Sequence, residues 1–158
     1  MKFIEQSEYL PRIDAIFNEL HENLLSISPN LRVEHIGSSS IPGAVSKGDL
    51  DIFIGVTQEE FNRTIQLLES IGFYEKTDTL RTESLRMMVT DSYEEDVAVQ
   101  LVANGSEHES FLEFRDKLRS NPDLVSRYNQ LKLNCKGLPH DNYREVKSTF
   151  IATVLKTH

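Results

Sequence analysis

The sequence predicts an α+β fold, that is, a mixed α/β arrangement in which a β-sheet is flanked by helices. Short segments with alternating apolar residues lie between residues 31 and 102. Longer segments with apolar residues every three to four positions precede, interrupt and follow them. This order of elements is typical of a mixed sheet with a helical C-terminal third. No repeat or Pro/Gly-rich linker divides the chain, so we expect one domain over residues 1–158.

The first helix is predicted over residues 11–25. Pro11 suits a first helical turn, and the residues after it form an apolar stripe of Ile13, Ile16, Phe17, Leu20 and Leu24. The turn-forming residues 28–30 end this segment. Residues 31–36 then alternate apolar and polar side chains, which predicts a short strand.

A second strand is predicted over residues 49–54, with Leu50, Ile52 and Ile54 on its buried face. Thr57 and Glu60 have the spacing of a capping box, so we expect a helix there that ends at Gly72. Further strands are expected over residues 73–75, 85–90 and 97–102.

The C-terminal third contains three predicted helix starts. Ser106 and Glu109 form a second capping-box pattern, and Asp141 is a candidate cap for the last helix. Asn121 and Pro122 are suited to the cap and first position of the helix between them.

Composition and charge restrict the functional classes. The net charge of −8 disfavours binding to duplex nucleic acid, which relies on Lys and Arg contacts to phosphates. No run approaches the ~20 apolar residues of a membrane helix, and the N-terminus becomes polar too early for a signal peptide. The single cysteine, Cys135, excludes an internal disulfide and is expected to be a buried thiol. We therefore expect a cytoplasmic protein.

Two carboxylates mark the start of the second predicted strand. Asp49 and Asp51 are two residues apart, so they present both carboxylates on one face while Leu50 and Ile52 face the core. Like charges this close repel each other, and burying them unpaired is costly. Mg²⁺ resolves the conflict, because it takes oxygen ligands and often uses one or two carboxylates plus substrate phosphates. The pair predicts a metal site.

A serine-rich loop precedes this pair. Gly37 allows close approach of the backbone to a ligand, and Ser38 and Ser39 offer N–H groups and hydroxyls to phosphate oxygens. Lys47 is a further candidate to contact a phosphate or a carboxylate. Equally, the two serines are suited to cap a short helix starting near Ile41, a role compatible with anion binding. A phosphate loop beside a metal-binding pair suits nucleotidyl or phosphoryl transfer.

Gly-Ser, a spacer and Asp-x-Asp on a strand resemble the signature of the nucleotidyltransferase superfamily, which has the DNA polymerase β-like fold. A longer pattern resembles the GrpB family and covers nearly the whole chain. Its first block comprises residues 35–43, Lys47 and residues 49–52; its second comprises residues 105–106, 114–116, 118–119 and 121–122; its third comprises Tyr143, Lys147 and residues 150–151.

The resemblance implies a nucleotidyltransferase-like fold. Together with the predicted metal site and phosphate loop, it leads to the hypothesis that the protein binds a nucleoside triphosphate with Mg²⁺. Active enzymes of the superfamily carry a third carboxylate on a later strand, and here the pattern differs. Asp96, Ala98 and Gln100 share one face of the predicted strand, and GrpB-like sequences commonly have histidines at the last two positions. Asp96 is thus the third catalytic candidate beside Asp49 and Asp51, provided that the strand register brings it to them.

Three functions stay open at this point. The first is a Mg²⁺-dependent nucleotidyltransferase that uses Asp49, Asp51 and Asp96 and needs no covalent nucleophile. The second is a non-catalytic nucleotide-binding or regulatory module that retains the fold without a complete set of carboxylates. The third is a structural protein without a ligand, which the absence of a cleft beside Gly37 would favour. The sequence identifies neither the nucleotide nor the acceptor.

Overall fold

Five β-strands form one sheet in the computed structural model, which describes residues 3–156. Its strands are β1 (Arg32–Ile36), β2 (Leu50–Val56), β3 (Phe73–Glu75), β4 (Leu85–Thr90) and β5 (Val97–Ala103). The described residues also form α1 (Gln6–Ile27), α2 (Phe61–Ser70), α3 (Ser110–Arg119), α4 (Pro122–Asn134) and α5 (His140–Leu155). The predicted mixed α+β fold with a helical C-terminal third is confirmed.

The sheet has the strand order β1-β2-β5-β4-β3. Its central pair, β2 and β5, is parallel, whereas the other neighbouring strands are antiparallel. In the parallel pair Leu50 lies opposite Val97, and Asp51 lies opposite Ala98. Because parallel strands begin at the same edge of a sheet, the residues that precede β2 and β5 lie close together.

Helices α1 and α2 cover one face of the sheet. Leu50, Ile52 and Ile54 point into this core, as the alternating pattern predicted, and all three are completely buried. Four residues of the predicted helical stripe meet them from α1: Ile13, Ile16, Leu20 and Leu24. Burial of apolar surface at roughly 25 cal/mol per Å² makes this layer the main source of stability.

The opposite face is only partly covered. Ile36, Phe53, Leu85 and Val102 form a small core there, against which Phe111 and Leu112 at the start of α3 pack. The C-terminal helices build a separate cluster of Ile41, Ala44, Leu118, Val125 and Tyr128, in which the rings of Tyr128 and Phe150 stack at 5.3 Å between centroids. This division leaves the ends of β2, β4 and β5 facing a cleft.

The first helix is longer than predicted at its N-terminus. It begins at Gln6 rather than near Pro11, because the Gln6 side chain donates to the Ile41 carbonyl (2.7 Å) and accepts from the Gly43 N–H (2.9 Å). Pro11 is tolerated inside the helix because its missing N–H leaves only the carbonyl of the exposed Ser7 without a helical donor. Helix α1 is thereby attached to the serine-rich loop.

Three predicted caps are wrong, and one is confirmed. Thr57 and Ser106 precede 3-10 turns (Gln58–Glu60 and Glu107–Glu109), and within the described residues neither hydroxyl caps a helix. Asp141 lies in the first turn of α5, after the N-cap Pro139. Asn121 does cap α4, since its side chain accepts from the N–H groups of residues 123 and 124.

The expected short helix near Ile41 is instead a 3-10 turn, Ser38–Ser40, which begins directly after Gly37. Cys135 is buried, as predicted. None of the helices within residues 3–156 combines the length and apolar character that crossing a membrane requires.

Candidate functional site

A cleft of about 580 Å³ lies on the partly covered face of the sheet. The sheet side contributes Asp49, Asp51, Ala98 and Gln100. Helices α4 and α5 contribute Lys132, Tyr143 and Lys147, and the serine-rich loop contributes Ser38. The cleft therefore brings together residues of the first and third blocks, and it adds Lys132 of α4 and two residues of β5 that belong to neither.

The side chain of Asp51 lies directly against the backbone of Gly37. Its φ of +76° lies in the left-handed region, which favours glycine. A Cβ at this position would contact Asp51 Oδ2 and would lie only 2.9 Å from the Asp51 Cβ. The sequence predicts that Gly37 lets the backbone approach a ligand closely. In the structure, the group that the backbone of Gly37 approaches is the side chain of Asp51. Glycine at residue 37 allows Asp51 to lie against the loop.

The two serines after Gly37 have different surroundings. Ser38 lines the cleft, where its hydroxyl accepts a hydrogen bond from Lys132 Nζ. Ser39 is buried, and its Oγ lies 2.7 Å from Nε2 of His35 in a side-chain hydrogen bond. Of the serines predicted to contact phosphate, Ser38 is therefore directed to the cleft, while Ser39 supports the turn from behind.

Asp49 and Asp51 share the cleft, as their spacing predicted. Asp49 accepts from the Ser46 hydroxyl (3.2 Å), and its other oxygen lies 3.9 Å from Lys47 Nζ. The pKa of Asp51 is raised to about 7, first by burial and second by the negative charge of Asp49, against the opposing charges of Lys147, Lys47 and Lys132. At neutral pH the pair holds a negative charge that the site disfavours, and a cation would relieve this.

Lys132 is the main residue of the cleft that the sequence pattern did not predict. Only 2% of it is exposed, and its ammonium donates to Ser38 Oγ and to the Val45 carbonyl (2.7 Å). Its Nζ also lies 4.0 Å from the centroid of the Tyr128 ring. Burial lowers the pKa of Lys132 to about 7, with a further contribution from Lys147, while the two aspartates oppose the shift.

A signal for Lys132 existed in the sequence. Val125, Tyr128 and Lys132 follow helical spacing along one face of α4, and all three are buried. A lysine on an apolar stripe is rarely buried without a partner. The pattern thus marked Lys132 as unusual, although only the fold shows that its partner is Ser38.

Helix α5 adds Tyr143 and Lys147 to the cleft. The neighbouring phenols of Tyr128 and Tyr143 and the carboxylates of Asp51 and Asp49 raise the pKa of Lys147, against the effect of burial. Lys147 is therefore a charged ammonium at neutral pH. The sequence offered these two residues only as part of the C-terminal block of the resemblance.

Asp96 lies at the edge of the cleft. It immediately precedes β5, its side chain is exposed, and its backbone carbonyl accepts from Leu50 N–H (2.9 Å). Ala98, not Asp96, lies opposite Asp51. No group of three or more His, Cys, Asp or Glu side chains in residues 3–156 is arranged to hold a metal ion. The register thus gives a carboxylate pair with adjacent lysines rather than three converging carboxylates.

Two arginines of α3, the buried Arg115 and the exposed Arg119, hold the loop from the side opposite the cleft. Arg115 donates to the carboxylate of Glu34 (2.9 Å) and to the carbonyl of His35 (3.2 Å). Arg119 donates to the Ser40 carbonyl (2.9 Å). Burial and these two arginines lower the pKa of His35 to about 4, so its ring is neutral at physiological pH. His35 thus serves the loop through local hydrogen bonds of its ring to Ser39 and of its carbonyl to Arg115.

Helix α4 holds the following part of the loop through Asn129. Its amide nitrogen donates to the Gly43 carbonyl (2.8 Å), and its amide oxygen accepts from the Val45 N–H (2.8 Å). Gln6 of α1 bonds the same loop from its other side. The amide side chains of Asn129 and Gln6 thus bond backbone N–H and carbonyl groups of the loop, which in a strand would bond a neighbouring strand. The loop between β1 and β2 is consequently fixed in shape.

Comparison with known proteins places this architecture among relatives. A family model described as GrpB protein matches residues 4–157. A UPF0157 protein of Vibrio cholerae serotype O1 is 50% identical over 155 residues, which are 98% of this chain and 82% of that protein. A UPF0157 protein of Halalkalibacterium halodurans is 30% identical over 161 residues, covering 94% of this chain and 79% of that protein.

Solved structures show the same architecture. The crystal structure of GrpB from Enterococcus faecalis superposes with a TM-score of 0.76 at 24% identity and covers 98% of this chain and 94% of that chain. Cid1, described by its RNA terminal uridylyl transferase activity, gives a TM-score of 0.58 at 16% identity over 82% of this chain and 39% of that chain. At these identities the likeness shows the fold alone. The chain belongs to the GrpB family and has a nucleotidyltransferase-like fold.

Proposed function

We propose that this protein binds a nucleoside triphosphate together with Mg²⁺ in the cleft. The observation that carries the proposal is the buried ammonium of Lys132, which donates to Ser38 beside the carboxylate pair. A buried lysine without a full counter-charge is costly, and an anionic ligand removes that cost. Phosphate oxygens at Ser38 would supply such a counter-charge.

The triphosphate would lie between the loop and the two C-terminal helices. Ser38 offers its hydroxyl, and Lys132 and Lys147 offer ammonium groups from the helical wall of the same cleft. Lys47, which is half exposed at the rim, is the fourth group in reach of an anion. Gly37 gives the loop its turn, and Ser39 holds it through His35.

Asp49 and Asp51 would hold Mg²⁺. Their oxygens fit this cation, because two adjacent carboxylates with phosphate oxygens form a common magnesium ligand set. When bound, the ion neutralises phosphate charge and activates an attacking hydroxyl. Cid1 poly(U) polymerase, solved with MgATP bound, has a related fold at a TM-score of 0.57 and 18% identity. That likeness supports the proposal through the fold only.

The catalytic form of the proposal assigns Asp96 as the third acidic residue. Asp96 lines the cleft with Asp49 and Asp51, but its exposed carboxylate has to turn toward the pair once a nucleotide is present. The second candidate function is a nucleotide-binding module without turnover. Ala98 and Gln100 favour it, because they place no charge on the strand that faces Asp51.

Calorimetric titration with ATP, GTP, CTP and UTP, each with and without Mg²⁺, tests the proposal. We expect Mg²⁺-dependent binding of at least one nucleotide, lost in Asp49→Asn/Asp51→Asn and weakened at least tenfold in Lys132→Met. Lys136→Met is the matched control, since Lys136 is exposed on the turn after the same helix. If the wild-type protein binds none of the four nucleotides, the proposal is wrong.

A further inference from the structure

The two neighbouring carboxylates in the cleft both lie at the start of β2, and the parallel strand β5 adds none. Asp51 lies on β2 and is preceded by Asp49, and the strand that runs parallel to β2 presents Ala98 and Gln100 at the neighbouring positions. Within residues 3–156 no third His, Cys, Asp or Glu side chain joins the pair to form a metal-binding group. Protein ligands are thus available on one side of a cation only.

Lysines already offset part of the negative charge of this pair. Lys47 Nζ lies 3.9 Å from Asp49 Oδ2, and the charges of Lys147, Lys47 and Lys132 all act on Asp51. A free divalent cation that enters the cleft meets two carboxylates and several ammonium groups at once. Like charges repel more strongly in a partly buried site than in water, because the effective dielectric constant is lower there, so each nearby ammonium opposes a lone dication.

A triphosphate changes this balance. Its oxygens interact favourably with the lysines, and at the same time they supply the ligands that the protein lacks on the side of Ala98. Mg²⁺ accepts such a set, because it keeps bound waters and uses few protein carboxylates beside substrate phosphates. One cation is then satisfied, whereas a second one would need the carboxylate of Asp96, which is exposed at the edge of the cleft and does not lie opposite Asp51.

We propose that the cleft takes one divalent cation per nucleotide, and takes it only as a metal–triphosphate complex. This inference rests on the proposed nucleotide binding and specifies its metal content and order. It also identifies Ala98, opposite Asp51 across the parallel pair, as the position whose missing carboxylate sets the number of cations.

Equilibrium dialysis with Mn²⁺ tests the inference without any catalytic readout. Bound Mn²⁺ and bound nucleotide are counted per chain, first with Mn²⁺ alone and then with the β,γ-imido analogues of ATP, GTP, CTP and UTP in turn. We expect no Mn²⁺ to be retained alone, and one Mn²⁺ for each bound analogue. Electron paramagnetic resonance of the bound Mn²⁺ checks that a single ion, without a coupled second ion, is present.

Ala98→Asp provides the complementary test, because it adds a carboxylate opposite Asp51. We expect the ratio of Mn²⁺ to bound analogue to rise from one to two in this variant, with a spin-coupled pair of ions. Ala98→Asn is the matched control, since it has nearly the same size without the charge, and its ratio should stay at one. Thermal unfolding of both variants establishes that they are folded.

The outcomes separate the two proposals. Two Mn²⁺ per bound analogue in the wild-type protein, or Mn²⁺ retained without any analogue, would overturn the one-cation inference while leaving nucleotide binding intact. A ratio of one in folded Ala98→Asp would overturn the role given to Ala98. If no analogue is retained under any condition, nucleotide binding and the inference built on it both fail.

Discussion

The two faces of strand β2 differ in what they contribute to the protein. On one face Leu50, Ile52 and Ile54 are fully buried under α1 and α2. On the other face Asp51 borders a polar cleft between the sheet and the C-terminal helices. Because alternate residues of a strand point in opposite directions, the same seven-residue segment contributes to the apolar core and to the wall of the cleft at once.

The comparison shows how the chain separates stability from function. The closed face gains free energy from apolar burial, which needs no partner outside the chain. The cleft face contains a carboxylate and a lysine whose pKa values both shift to about 7, Asp51 upward and Lys132 downward, mainly because of burial. Such opposed shifts mark charges that the fold tolerates at a cost and that a ligand would stabilise.

The largest expected effect lies on the closed face. Ile52→Ala removes most of a completely buried side chain and should lower the free energy of unfolding by about 2–5 kcal/mol. Gln100→Ala, on the cleft face of β5, should change it by less than about 0.5 kcal/mol. Urea unfolding followed by circular dichroism measures both. Equal losses would show that the two faces contribute alike.

A pH-dependent effect is expected on the cleft face from Asp51→Asn. The folded protein holds the pKa of Asp51 near 7, above its ordinary value of 3.8, so between these pH values it binds a proton that the unfolded chain has released. The extra bound proton adds to the free energy of unfolding of the wild type at low pH. This gain falls as the pH rises from about 4 to 7 and is absent at pH 8. Because Asn cannot ionise, the variant does not lose this part of its stability as the pH rises.

At pH 8 we expect Asp51→Asn to be more stable than the wild type, by on the order of 2 kcal/mol, with little difference at pH 4. Denaturant unfolding at both pH values gives the two differences. Glu69→Gln, at an exposed position of α2 that does not line the cleft, is the control for general charge effects. A variant that is less stable at pH 8 would contradict the assignment of an unfavourable charge to the cleft.

The smallest expected effect concerns the loop that meets Asp51. Gly37→Ala and Gly105→Ala both place a side chain at positive φ, +76° and +84°, but only at residue 37 does the new Cβ meet Asp51. A Cβ added at Gly105 would meet no heavy atom within 4 Å outside its chain neighbours. Gly37→Ala should therefore lose about 1–2 kcal/mol more than Gly105→Ala in thermal unfolding. Equal losses would show that the approach to Asp51 carries no constraint.

Much of this division could be predicted from local patterns. The mixed α+β fold, the buried residues of β2 and the shared face of Asp49 and Asp51 all follow from periodicity, which depends on near neighbours. The helix starts were less predictable. Glu109, for example, accepts from Gly105 N–H and pairs with Arg32 (3.0 Å), so it does not complete a capping box with Ser106.

The helical wall of the cleft could not be predicted in the same way. Lys132 is 94 residues from Ser38 in the chain, and their contact depends on how α4 packs against the serine-rich loop. Likewise, the side-chain partner of Ser39 is His35, on the preceding strand, so its hydroxyl is directed away from the cleft. Asp96 could be named as a third catalytic residue only on the condition that the register of β5 brings it to Asp49 and Asp51, and the sequence does not specify that register.

Nucleotide binding in the cleft is tested most directly by backbone amide NMR, with Mg²⁺ and each of the four nucleoside triphosphates added in turn. We expect shift changes to concentrate at residues 37–38, 49–51, 132 and 147, with α1 and α2 little affected. The same spectra of Lys132→Met should show the changes only at much higher nucleotide concentration. Unchanged spectra with all four nucleotides, or changes confined to the closed face, would contradict the account.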